Sequence, residues 1–261
     1  MAPHKRKPLD LSLQLASYEK KMSKLKNLLG AVLDDTVLNT FIVCGRPGIG
    51  KSYTIDKVLD ARRADEKSPI IYRKITGKIT QRAFWDHLVE NSTYDCVTFF
   101  DDADFIFHDP VCEGLLREAS EKQTQRIINY RTAKNKGDDS TTFDGKIVVS
   151  TNLRIGSMPQ FRAVGDRFQI LNLEITFQET LAKIGDLALD PHGFLAQRIS
   201  VDGNKEILAF LLEQQHRIGE DKLTLRLFRK AQELYIMMRG DWREYAEDIV
   251  AAPDNLLPQS T

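Results

Sequence analysis

Cysteine is scarce in this chain. Of 261 residues three are cysteine, Cys44, Cys96 and Cys112, an odd number at spacings that fit no zinc site. Cys44 and Cys96 lie inside apolar runs, which suits small buried hydrophobes in a reducing, cytoplasmic compartment. Net charge is absent as well: 37 Lys and Arg offset 37 Asp and Glu, so no global field steers the molecule toward nucleic acid. No apolar run is long enough to span a bilayer, so no membrane partner is expected. The opening MAPHKRKP lacks the apolar stretch of a secretion signal, and no internal repeat is present. Charge is nevertheless unevenly spread. HKRKP and EKKMSKLK make the N-terminal end basic, either as a solvated helix face or as a surface for nucleic acid or a partner, while the C-terminal end leans acidic.

What is present is an alternation of periods. Leucines and Met22 at helical spacing predict one helix or two over 11–29, ending near Gly30. Strands are expected at 39–44, 69–75, 96–100, 146–150 and 167–175. Helices are expected from Lys51, over 80–91 with Thr80 as N-cap, and over 110–122 opened by Asp109 and Pro110. Several strands are apolar nearly throughout, which argues for a parallel sheet covered on both faces. After about residue 176 only helical patterns remain, over 178–187, 204–217, 222–239 and 241–250. The expected fold class is α/β with a C-terminal helical domain. Its divisions are a basic helical segment (1–35), an α/β core (36–175) and a helical part (176–261).

GRPGIGKS, from Gly45 to Ser52, joins the first expected strand to a helix. G-x-x-x-x-G-K-[ST] is a P-loop pattern, and its spacing has a physical reason. Gly45 and Gly50 permit backbone conformations a side chain would block. Pro47 and Gly48 bend the loop so that successive N–H groups face an anion, and the helix that follows presents its positive end to the same anion. Lys51 adds a full charge near the β- and γ-phosphates, and the Ser52 hydroxyl is a Mg²⁺ ligand. The expected cradle is Gly45, Arg46, Pro47, Gly48, Ile49, Gly50, Lys51, Ser52 and Tyr53. CVTFFDDAD ends another apolar strand about fifty residues after Lys51. Asp101 is placed to hold Mg²⁺ and Asp102 to orient or activate an attacking water.

Together these motifs resemble those of the AAA+ ATPase family, over about residues 36–240, and more narrowly compact phage-type AAA+ proteins, in which TGKIT, FFDDAD and VVSTN have similar counterparts. The resemblance implies a P-loop sheet with a helical lid, ATP and Mg²⁺ as cofactors, and a homo-oligomer, a ring such as a hexamer. It also implies roles for further residues. Asn152, ending KIVVSTN, matches a polar sensor; Arg167 in MPQFRAVGDRF matches an arginine offered to a neighbouring subunit, with Arg162 as the alternative. Arg226 in LTLRLFRKAQEL matches a lid arginine, with Arg229 one turn on. The chain departs from the family at the acidic motif, where Asp-Asp replaces the usual Asp-Glu. Asp102 is one methylene shorter, so slow hydrolysis or help from Asp104 is an expectation.

Two polar segments, TGKIT (76–80) and residues 127–146, are placed to face a channel in a ring. Lys78, Arg131, Lys134 and Lys136 are candidate phosphate contacts, and Tyr130 or Phe143 a candidate surface for a base or a peptide. The second segment is long enough for a hairpin. NKGD at 135–138 lacks the buried strand a guanine-reading motif needs, so ATP is favoured over GTP. The expected activity is ATP hydrolysis driving conformational work, on DNA by preference. A protein client and a non-hydrolysing nucleotide-dependent scaffold are the alternatives.

Overall fold

The computed structural model describes residues 11–122, 126–130, 139–154, 167–192, 198–219 and 222–251. These fall into two compact units, residues 22–174 and residues 11–21 with 175–251. The long helix α1 (Leu11–Asp34) contributes its first part to one unit and its second to the other.

The first unit is an α/β layer structure. Its strands are β1 (Thr40–Cys44), β2 (Ile71–Thr76), β3 (Cys96–Asp101), β4 (Ile127–Tyr130), β5 (Asp139–Thr142), β6 (Lys146–Thr151) and β7 (Gln169–Asn172). Five of them form a parallel sheet in the order β2-β3-β6-β1-β7. Helices α2 (Lys51–Arg63), α3 (Gln81–Glu90) and α4 (Pro110–Ala119) flank it. The sequence dictates which strands are central. TFIVC, CVTFFD and KIVVST are buried at every position, whereas IYRKIT at the β2 edge carries Arg73 and Lys74 and is largely exposed. Charge on an edge strand discourages further pairing.

Register sets the site. Cys44 pairs with Thr151 and Thr76 with Asp101, while Phe100 pairs with Val149, so β1, β3 and β6 end together along one edge. From β1 the chain goes to the β2 edge, and from β6 it goes to β7 on the other side of β1. Connections that leave neighbouring strands in opposite directions open a crevice at their carboxyl ends, where α/β sheets bind ligands.

The helix boundaries follow local chemistry. The Thr80 hydroxyl accepts from Ala83 N, and the Asp109 carboxylate accepts from Val111 N and Cys112 N with Pro110 in the first turn. At the end of α1 packing overrides propensity: the helix runs past Gly30 to Asp34 because Leu29, Val32 and Leu33 are buried. The buried Lys146 receives the end of α1, donating to Val32 O at 3.2 Å and Asp35 O at 2.6 Å. Burial holds this ammonium below the ordinary lysine range, against the opposing pull of Asp35.

Residues 127–142 do contain a hairpin, β4 paired antiparallel with β5. Its aromatic residues have another use than the one expected of them. Tyr130 stacks on Trp85 at 5.7 Å between ring centroids, and Phe143 is fully buried with Phe84 and Phe100. Neither is presented to a base or a peptide. An apolar ring next to a polar loop is core here because the hairpin folds back on α3 and α4 residues.

The second unit is helical: residues 11–21 of α1, α5 (Phe177–Leu189), α6 (Val201–Glu213), α7 (Leu225–Met238) and α8 (Trp242–Ala251). Its core includes Ile184, Ile207, Phe210 and Trp242, with the last two rings edge-on at 5.1 Å. Thr176 and Glu179 form a reciprocal capping box at the start of α5. Glu179 is buried, and burial alone would raise its pKa. Lys21 Nζ at 2.9 Å and Ser17 Oγ at 2.5 Å outweigh that and hold the carboxyl below its ordinary value.

One glycine outside the site tests this packing. A Cβ at Gly145 would lie 2.1 Å from the Asn91 carbonyl oxygen and 3.1 Å from Phe143 Cζ. Gly145→Ala is therefore expected to lower stability by about 1–3 kcal/mol, read as a fall in the urea midpoint.

Candidate phosphate-binding site

The loop from Gly45 to Gly50 leaves the fully buried β1 and enters α2 at Lys51. Gly45 is required by space: a Cβ there would sit 2.6 Å from the Leu173 carbonyl oxygen and 3.2 Å from Ile49 Cδ1. Gly48 and Gly50 are required by conformation, with φ of 70° and 95°. Gly50 is the N-cap of α2 and places no side chain on the first-turn amides, which makes this helix end suited to an anion.

Lys51 is buried, and its Nζ bonds to Gly45 O at 2.5 Å, Arg46 O at 2.9 Å and Asn152 Oδ1 at 3.1 Å. Burial lowers its pKa, and the carboxylates of Asp102, Asp101 and Asp104 offset only part of that. The loop is thus drawn around its own lysine, which is tied to the tip of β6.

The acidic motif divides its work among three carboxylates. Asp101 is buried at the end of β3, where Oδ1 accepts from Ser52 Oγ at 2.6 Å and Oδ2 pairs with Lys74 Nζ at 2.9 Å. Asp102 has φ 52°, the left-handed region, and among the described residues no other non-glycine residue has a positive φ. Its Oδ1 accepts from Asn152 Nδ2 at 3.3 Å. Asp104 Oδ1 accepts from Thr151 Oγ1 at 2.5 Å and from Asn152 N at 2.9 Å. Asp104, considered above as a helper of Asp102, is engaged at the tip of β6 and positions Asn152.

Lys74 is a member of the site that the motifs do not indicate. It reaches from β2 to Asp101 and to Asp56 Oδ2 at 2.7 Å, with its Nζ 5.0 Å from the Phe99 ring centroid. Desolvation lowers its pKa, but Asp56 and Asp101 more than compensate and hold it above the ordinary lysine range. A lysine in an edge strand reads as solvated charge. Only the β2–β3 register shows that it faces the acidic motif.

The donor chemistry suits Mg²⁺. The Ser52 hydroxyl and the Asp101 carboxylate are hard oxygen donors in contact, and this ion takes one or two protein ligands with water and phosphate completing its shell. Among the described residues no group of three or more His, Cys, Asp or Glu converges on a metal position.

The other expected site residues are dispersed. Pro47 and Tyr53 are exposed and Ile49 is fully buried, with Lys57 Nζ 5.6 Å from the Tyr53 ring centroid. Lys78 is exposed in the loop after β2. Arg167, ahead of β7, is exposed and pairs with Glu121 Oε1 at 2.8 Å. Arg226 is exposed on α7 of the helical unit, and Arg229 pairs with Glu233 at 3.2 Å. Arg131, Lys134, Lys136 and Arg162 lie outside the described residues.

No protein-family model matches the chain. It is 25% identical over 243 residues to an uncharacterized 36.7 kDa protein from the nrdC-mobD intergenic region of Enterobacteria phage T4. The match spans 87% of this chain and 73% of that protein. Among the described residues no helix is long and apolar enough to cross a membrane.

The backbone at Asp102 gives a stability test separate from chemistry. Replacing it with glycine or alanine removes the same carboxylate, but only glycine adopts φ 52° without a Cβ penalty. Asp102→Gly is expected to be more stable than Asp102→Ala by about 1 kcal/mol in urea unfolding.

Proposed function

We propose that the protein is an oligomeric, Mg²⁺-dependent ATPase of AAA+ type, with residues 36–175 as its core and 176–261 as its lid. The observation that carries this reading is the convergence, at the ends of three adjacent strands, of the Gly45–Gly50 loop, Lys51, the Ser52–Asp101 pair, Asp102 and Asn152. Loop amides and the α2 terminus bind the phosphates. Lys51 exchanges its carbonyl partners for phosphate oxygens. Ser52 and Asp101 would hold Mg²⁺, and the ion would supply positive charge against that developing on the transferred phosphoryl group. Asp102 orients the attacking water, and Asn152, bonded to both Lys51 and Asp102, reports the γ-phosphate to both. Arg167 completes a neighbouring subunit's site and Arg226 couples the lid to the nucleotide.

Assembly into a ring follows from the outward role given to Arg167. DNA is the favoured client, since Lys78 is exposed in the first polar loop and that loop lacks an aromatic-apolar-glycine grip for polypeptide. Similarity to a phage protein supports a phage setting, hence the host cytoplasm.

Calorimetry with Mg-ATP is expected to show binding that Lys51→Ala abolishes; heat unchanged by that substitution overturns the reading. Arg167→Ala is expected to bind ATP nearly as well as the parent while losing about 10³-fold or more of turnover. An ATPase assay across protein concentration, with and without single-stranded DNA, distinguishes clients. Stimulation by DNA that fades with salt marks a DNA motor, whereas stimulation by unfolded polypeptide marks a remodeller. Binding without turnover at any concentration marks a scaffold.

A further inference from the structure

Asp101 is fully engaged. One carboxylate oxygen accepts the Ser52 hydroxyl and the other holds the Lys74 ammonium at 2.9 Å. Lys74 is fixed there from two further sides, by Asp56 at 2.7 Å and by the face of Phe99 at 5.0 Å. Its side chain is about a third exposed, so the contact is partly shielded from solvent. A monocation therefore already sits on the oxygen that a divalent ion needs. Lys51, whose charge also couples to Asp101, adds a second ammonium nearby. The Lys74 ammonium opposes a bare divalent cation at that oxygen by occupying it and by like charge at close range, while Asp56, Asp102 and Asp104 offset part of the repulsion. A triphosphate brings its own oxygens to a metal ion and gives Lys51 other partners, and Asp56 gives Lys74 a partner to keep when it releases Asp101.

We propose that Lys74 is a resident cation of the metal site: it holds Asp101 in place and excludes a bare divalent ion, so that metal enters with the triphosphate and not before it. This rests on the reading of Asp101 as the carboxylate that holds metal. Lys74 is a positioning residue in this scheme. No proton transfer is assigned to it.

The test measures Mn²⁺ binding by electron paramagnetic resonance, without nucleotide, in the full-length protein. The unsubstituted protein and Lys74→Arg are expected to bind Mn²⁺ weakly and alike, and Lys74→Met at least about tenfold more tightly. Adding Asp101→Asn to Lys74→Met is expected to abolish the gain. An affinity in Lys74→Met within twofold of the parent overturns the proposal, as does a gain that survives Asp101→Asn. Thermal melting checks folding, and Lys74→Gln repeats the charge removal if the methionine variant does not fold. Calorimetry with Mg-ATP, run on the parent and on Lys51→Ala, separates the two ideas. Absence of nucleotide binding there defeats the ATPase reading, while the Mn²⁺ comparison still reports on Lys74 and Asp101.

Discussion

A buried ammonium organises this site. Lys51 joins the start of the loop, through the Gly45 and Arg46 carbonyls, to the tip of β6, through Asn152. Few groups satisfy such a charge. A lysine this buried keeps its proton only if oxygens surround it, so the loop must close over it and β6 must end beside it. Parallel register supplies the second condition, because β1 and β6 pair from Thr40 with Ile147 to Cys44 with Thr151. The same register delivers β3 to the other side of β6 and puts Asp101 against Ser52. Geometry that would serve a triphosphate therefore exists as a network of internal bonds, each of which a phosphate oxygen or a cation can replace.

Strain is concentrated where chemistry is proposed. Asp102 adopts a conformation that costs a non-glycine residue about 1–2 kcal/mol, although aspartate bears it better than most. The turn is held from both ends: Ala103 N donates to Ser150 O at 3.0 Å, and Asp104 is fastened to Thr151 and Asn152. This over-determination gives three acids close in sequence, Asp101, Asp102 and Asp104, distinct partners. One faces Ser52 and Lys74, one is turned toward Asn152, and one is spent on the β6 tip.

Much of this is legible in the sequence, and what is not has physical causes. Fully apolar strands declare a covered parallel sheet, and the glycine spacing of residues 45–50 declares a loop that only glycine can build. Caps at Thr80 and Asp109 are local, so their chemistry is visible in a few residues. Gly30 misleads because its propensity is outweighed by burial of Leu29 and Val32, a tertiary effect. Tyr130 and Phe143 mislead because aromatic residues beside polar segments look alike whether they serve a ligand or a core. Lys74 and the separate duty of Asp104 depend on which strands lie side by side, and a single chain's pattern carries no record of that.

The arginine proposed to act on a neighbour is bound at home. Arg167 pairs with Glu121 at 2.8 Å, with both side chains substantially exposed. An exposed pair of this kind contributes only about 0–1 kcal/mol and weakens with salt. Glu121 is therefore a small obstacle to recruitment across a subunit interface, whereas a triphosphate, with several negative charges in a partly desolvated site, is a far stronger partner for a guanidinium. The home contact makes the ionic-strength dependence of the proposed assembly a sum of opposing parts, since salt would loosen the internal pair as well as an intersubunit attraction. Net salt sensitivity should accordingly be milder than the proposed role of Arg167 alone would imply.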